Sequence, residues 1–435
     1  MENYYIVKQS ISSVTHVFEM WKPRISILQY IMEKDVLFEI CKENKWELME
    51  DLFLAGVDVN RKNRKGNTAL ILASEKGHEK CVEMLLQIKG VDVNAKYKGE
   101  TALMMALQGG HEKCVKSLLQ MGGIDINANN KGGTVLMIAS RNGHEKCVEM
   151  LLQMEEIDIN VMDEYWKMTA LMMASEKGHE KCVEKLLQME EIDVNVRGNY
   201  WEMNALMMAS EKGHVKCIEM LLELKGIDIN AKDINGSTAL ILASKNGHEK
   251  CVEMLLQMKE IDINAEDVYG NTALIFASEK GNEKCVEMLL EMKGIDVNIK
   301  GMTGSTALIL ASEKGHEKCV EMLLRIDGID VNVKNIEGST ALIVTCENGR
   351  ENCVEMLLQM KGIDVNAKNN DGNTALMGAS RYGYEKCVEM LLQMEGIELN
   401  AKTKKGNTAM MLASNYRHKK CVEILTSKYK SIKTA

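Results

Sequence analysis

TALILASEKGHEKCVEMLLQIKGVDVN, from Thr68 to Asn94, recurs with small changes down almost the whole chain. Its opening threonine returns at Thr101, Thr134, Thr169, Thr238, Thr272, Thr306, Thr340, Thr374 and Thr408, and Asn204 fills the one missing slot. The spacings are 33, 33, 35 and 35 residues, then 34 to the end. Self-similarity at that period means a solenoid, in which units too small to bury their own apolar faces are covered by their neighbours. A chain of 435 residues is therefore expected to form one elongated domain rather than several globules.

Within a unit the signals run in a fixed order. Thr68 stands before the apolar run Ala69-Leu70-Ile71-Leu72-Ala73-Ser74, placed to satisfy free N–H groups at a helix start. Gly77 ends that helix, since glycine tolerates the left-handed conformation that closes it. His78-Glu79-Lys80 opens a second helix, in which Cys81, Val82, Leu85 and Leu86 follow the helical period while Glu79, Lys80 and Glu83 stay on the wet side. Gly90-Val91-Asp92-Val93-Asn94 and a polar stretch carry the chain on, with a glycine before most threonines (Gly66, Gly99, Gly236, Gly270), where a tight hairpin turn needs one.

These residues resemble the ankyrin repeat from about residue 33 to 434: a hairpin tip, a first helix in place of TPLH, a GH pair opening the second helix, and a closing GIDVN. The expected fold is all-α, an ankyrin-type solenoid of about twelve repeats. Residues 33–60 form a degenerate N-terminal capping repeat, ten repeats fill 61–400, and 401–435 hold a C-terminal repeat with a basic cap. Residues 1–32 do not match the repeat. Ile25 to Met32, after Pro23, reads as a short helix that covers the end of the stack or docks elsewhere. Two departures from the family soften the stack: alanine replaces the TPLH proline, and isoleucine or methionine its histidine. The 33 methionines, mostly at slots taken as core-facing such as Met84, Met150, Met154 and Met220, push the same way, because methionine packs adaptably.

Composition excludes several functions. The net charge is −9, with 54 basic and 63 acidic residues interleaved in every repeat, so no basic stripe follows a phosphate backbone and nucleic acid is not an expected partner. No apolar run approaches the roughly 20 residues of a membrane span, and no secretory signal is apparent in the first 30 residues; a cytoplasmic monomer is expected. Eleven of the 13 cysteines occupy one slot in successive repeats. Equivalent slots on packed helices lie about 8 to 10 Å apart, whereas a disulfide needs Cα atoms within about 7 Å, so they read as free, buried thiols. Histidines one repeat apart (His78, His111, His144) cannot converge on a metal ion, and Asn282, Arg350 and Tyr384 replace them without breaking the pattern. The Asp-x-Asn pairs (Asp92/Asn94, Asp228/Asn230) lack the ligand series of a calcium loop and read as turn closers. No nucleophile elbow, phosphate loop or zinc-protease motif occurs. Neither catalysis nor a cofactor is expected.

Binding is the remaining function. Comparing the units with one another shows nearly constant helices and variable hairpin tips. Most tips read as small and polar, for example Asp233-Ile234-Asn235-Gly236. Two consecutive tips are a residue longer, lack the glycine and carry aromatics: Tyr165-Trp166-Lys167-Met168 and Tyr200-Trp201-Glu202-Met203. Tyr165, Trp166, Met168, Tyr200, Trp201 and Met203 are the candidate partner-binding residues, because Trp and Tyr dominate interface hot spots; the alternative is that each tryptophan folds back over its own helices. Lys402, Lys404, Lys405, Arg417, Lys419, Lys420, Lys428, Lys430 and Lys433 make the last unit basic, as a solvated cap or an acidic partner's dock. The resemblance implies a protein-protein interaction scaffold or adaptor using hairpin tips and concave face. A regulatory or inhibitory subunit of one partner is the competing expectation.

Overall fold

The computed structural model describes residues 35–54, 56–198 and 201–434. The N-terminal extension, the short helix expected after Pro23, and Tyr200 lie outside them. Among the described residues the chain forms eleven pairs of short antiparallel helices, preceded by helices Val36–Glu43 and Met49–Leu54 joined through a 3-10 turn at Trp46–Leu48. They fall into two compact units, one ending at Tyr200 and one beginning at Trp201. The first holds four pairs, the second seven.

Each boundary has a local cause. Thr306 stands extended (φ −86°) before helix Ala307–Lys314, and its hydroxyl accepts the Ile309 N–H at 3.4 Å. The same bond recurs from Thr68 onward. In the exceptional slot Asn204 caps helix Ala205–Lys212, its Oδ1 accepting the Met207 N–H at 2.9 Å. Gly315 closes the Ala307–Lys314 helix in the left-handed region, φ 81°.

Within each unit, first helices pack on the first helices of the next repeat and second helices on second helices. The core is made of recurring slots: Ala307, Leu308, Ile309 and Ala311 from one helix, Cys319, Val320 and Leu323 from the other, all essentially without solvent contact. The methionines divide differently from the sequence expectation. Met84, Met150, Met154 and Met220 are only half-buried, because the cysteine, the valine or isoleucine, and the leucine of the second helix already fill the seam. Most of the buried methionines lie on first helices instead, among them Met104, Met137, Met172 and Met207.

The Asp-x-Asn segment does more than close a turn. Asn298 Nδ2 donates to the Gly328 carbonyl at 2.9 Å while its Oδ1 accepts the Asp330 N–H at 2.9 Å, so one amide ties a loop to its equivalent in the next repeat. The pattern repeats at Asn60, Asn94, Asn127 and Asn160 in the first unit, and at Asn230, Asn264, Asn332 and Asn366 in the second. These amides are solvent-exposed, so each bond contributes only about 0.5–1.5 kcal/mol. Asn298→Ala is expected to lower stability by about 1–2 kcal/mol in urea unfolding and to speed exchange of the Asp330 amide; an unchanged midpoint would contradict the tie.

Candidate interaction surface

Most of the hairpin tips are built round one polar side chain, which is buried at Asp163, Asp233 and Asp267, while Gly301 stands in that slot in one repeat. Asp233 Oδ1 accepts the N–H groups of Asn235 at 2.9 Å and Ser237 at 2.7 Å, folding the backbone round the carboxylate. Burial pushes that carboxyl above its ordinary range, and the two backbone bonds oppose the shift only in part. Asp267, Asn335 and Asn369 do the same in the following repeats. In the longer tip of the first unit, Asp163 Oδ2 holds the N–H groups of Tyr165 and Trp166 at 2.9 and 2.7 Å, and its Oδ1 that of Met168 at 2.7 Å. Lys167 takes the positive φ, 52°, that a glycine would otherwise supply. Tyr165 is 70% exposed and Trp166 48%, their rings meeting edge to face at 4.7 Å. Met168 is half-buried. In the second unit Trp201 is 51% exposed and Met203 is buried. The two aromatic tips belong to different units, and each is described by itself.

One row of tips was misread from the sequence as polar. Four residues before the threonine marker stand Ile234, Val268, Met302 and Ile336 in consecutive repeats of the second unit, each between 51 and 66% exposed. Tyr269 and Trp201 extend the row. Backbone bonds join neighbouring tips: Ile234 N–H to Trp201 O at 2.8 Å, Val268 N–H to Asn235 O at 2.8 Å, Ile336 N–H to Thr303 O at 2.9 Å. The slot then turns polar at Asn370 and Lys404, which continue the same bonding to Glu337 and Asp371. The signal was present in the sequence, but each apolar residue stands alone among Asp, Asn and Gly, and only alignment of the slots reveals the row.

The histidines of the GH pairs bond away from the helices they open. None of these side chains caps the helix it precedes. Instead His316 Nε2 reaches the Glu279 carbonyl at 3.0 Å, and His248 that of Glu211 at 2.9 Å, at the C-terminal end of the preceding repeat's first helix, where carbonyls lack helical partners. Asn282 reproduces this with its amide on Ser244 O at 2.8 Å. All 13 cysteines are buried and unpaired with one another as disulfides. Burial pushes the thiols of Cys251, Cys285 and Cys319 up to about 11, which keeps them protonated and unreactive near neutral pH.

A last feature lies at the end of the second unit. Arg381 sits between the rings of Tyr382 and Tyr416, at 5.5 and 5.3 Å from their centroids, and both tyrosines are about half exposed. Stacked cations and half-exposed aromatics are what interfaces select, yet neither tyrosine was singled out from the sequence. The basic C-terminal repeat is partly internal in its bonding: Lys420 pairs with Glu385 at 3.3 Å, and Tyr429 donates to the Leu399 carbonyl at 2.9 Å. Among the described residues no helix is long and apolar enough to cross a membrane.

The stacked helix pairs with hairpin tips define a repeat protein of the interaction class. The family model for ankyrin repeats, in three copies per match, covers residues 37–130, 89–163, 136–233, 224–301, 266–335, 308–403 and 365–435. The chain belongs to the ankyrin-repeat family. No curated protein matches it. Ankyrin repeats are protein-protein interaction modules, so the fold supports binding of a protein partner without saying which.

Proposed function

We propose that the protein is a non-enzymatic scaffold or adaptor that holds a partner protein along its hairpin tips, in the cytoplasm. The observation that carries this reading is the row Ile234, Val268, Met302 and Ile336, since an exposed apolar residue at one slot of four successive tips, three of them bonded to the tip before through the backbone, is uncommon on a surface that binds nothing. In the first unit Tyr165, Trp166 and Met168 form a separate contact, and in the second Trp201 starts the row with the buried Met203 two residues on; Tyr200 is included from its sequence. Thirteen unbridged thiols suit a reducing compartment.

The test compares partner capture by the intact chain, by a variant with Ile234, Val268, Met302 and Ile336 all changed to serine, and by Tyr165→Ser/Trp166→Ser. Because the changed side chains are largely exposed, urea midpoints should stay close to the parent's. A partner that saturates the parent should lose at least tenfold in affinity for the four-residue variant, as expected when roughly 1.4 kcal/mol or more of apolar contact is removed. A partner that binds both variants as tightly as the parent would overturn the tip reading.

A further inference from the structure

The first unit contains a polar cavity of about 430 Å³ between its second, third and fourth tips. Lys98, Lys131 and Arg141 bring three positive charges to it, and Glu100 and Glu164 two negative ones. One slot distinguishes its lining from the flanking repeats. The residue seven places after the threonine marker is Glu75 in the first full repeat and Glu176 in the fourth, but Gln108 and Arg141 in the two between. Arg141 ends helix Val135–Arg141, where a cation is favoured by the helix dipole. The neighbouring Gly132 lines the cavity; a Cβ there would crowd Asn130 Oδ1 at 3.2 Å and touch the Arg141 guanidinium at 3.6 Å.

The charges are not equally available. Glu100 Oε1 already accepts from Gln108 Nε2 at 2.6 Å and from Asn130 Nδ2 at 3.3 Å. Among the described residues the Arg141 guanidinium has neither a hydrogen bond nor an ion pair, and the Glu164 carboxylate has none within 4.0 Å. A guanidinium offers a planar fork of donors that matches a carboxylate with two parallel bonds. We infer that this cavity receives a glutamate or aspartate side chain of a partner polypeptide, gripped by Arg141 with Lys98 and Lys131 beside it. The charge balance selects the carboxylate over phosphate: three cations against two carboxylates leave one excess positive charge, which a monoanion neutralises, whereas a phosphate dianion would face the fields of Glu100 and Glu164. The inference rests on the reading that the partner is a protein, yet its test needs no partner.

The chain has nine arginines, so the full-length protein labelled with ¹⁵N-arginine gives few and separable Nε resonances. The probe is N-acetyl-glutamate N-methylamide, titrated at constant ionic strength against N-acetyl-glutamine N-methylamide and inorganic phosphate. The expected result is a saturable shift of the Arg141 resonance in the millimolar range with the glutamate probe and none with the glutamine one. Glu164→Gln should tighten probe binding about three- to tenfold by removing a nearby like charge, and the other arginine signals report that the variant is folded. The inference is overturned by no Arg141 shift, by equal shifts with both amides, or by tighter binding of phosphate. It is also overturned if Glu164→Gln leaves probe affinity unchanged, since a carboxylate held in this cavity must respond to the loss of a like charge lining it. Partner capture that fails in the tip variants leaves this measurement untouched, so the two readings fail separately.

Discussion

Gly281→Ala should lower the stability of the second unit by about 1.5–2.5 kcal/mol, a large effect for the addition of one methyl group. Two costs combine. Gly281 closes helix Ala273–Lys280 at φ 71°, where a residue with a Cβ is strained by about 1–2 kcal/mol. The added Cβ would also lie 2.5 Å from Nδ1 and 2.7 Å from Cε1 of His316, the ring that the next repeat lays across this glycine. That ring must move, weakening its bond to the Glu279 carbonyl, worth about 1 kcal/mol. The smaller entropy of an alanine in the unfolded chain returns about 0.5 kcal/mol. The two costs separate in a double-mutant cycle. In a His316→Ala background the steric part vanishes, so Gly281→Ala should then cost about 0.5–1.5 kcal/mol, with a coupling near 1 kcal/mol. A coupling of zero in urea unfolding would show that the glycine serves its own turn alone.

That pair also shows where the fold was legible in the sequence and where it was not. Helix starts, helix ends and the core slots follow from order within one unit: Thr306 before an apolar run, Gly315 after it, Cys319 and Val320 on the seam. Even the irregular repeat obeyed, since Asn204 has the chemistry to cap and does. What could not be read is what one unit does to the next. The histidine of a GH pair bonds 37 residues back, from His316 to Glu279, so its partner is invisible inside its own repeat. Asn298 reaches Gly328, 30 residues on, and thereby couples loops that looked self-contained. The candidate surface divides in the same manner. Tyr165 and Trp166 drew notice because their tip departs from the pattern, whereas Ile234, Val268, Met302 and Ile336 conform to it and became conspicuous only as a row. Arg141 acquires meaning from the glutamate it replaces and from Lys131, ten residues earlier on a tip that folds back toward it.

Replacing Ser244, Ser278 and Ser312 together by alanine is expected to raise stability by about 2–3 kcal/mol. Each of these serines lies at the same slot of a first helix, is fully buried, and has a hydroxyl with no hydrogen-bond partner. An unsatisfied buried hydroxyl costs about 1–3 kcal/mol, whereas alanine keeps the Cβ, creates a gap only one oxygen wide, and improves helix propensity by a few tenths of a kcal/mol. The opposing term is that small gap, which trims each gain to about 1 kcal/mol. The chain already contains one departure of this kind: Cys346 occupies the serine slot in helix Ala341–Glu347 as a fully buried thiol, while the hydroxyl one residue earlier, on Thr345, turns back to the Ala341 carbonyl. Successive repeats place the three sites about 8–10 Å apart, so the gains should add within about 0.5 kcal/mol. Urea unfolding of the single, double and triple variants measures this directly. If the triple variant proves less stable than the parent, then the serine hydroxyls bond to their own helix in solution, as Thr345 does, and the slot is retained for that bond.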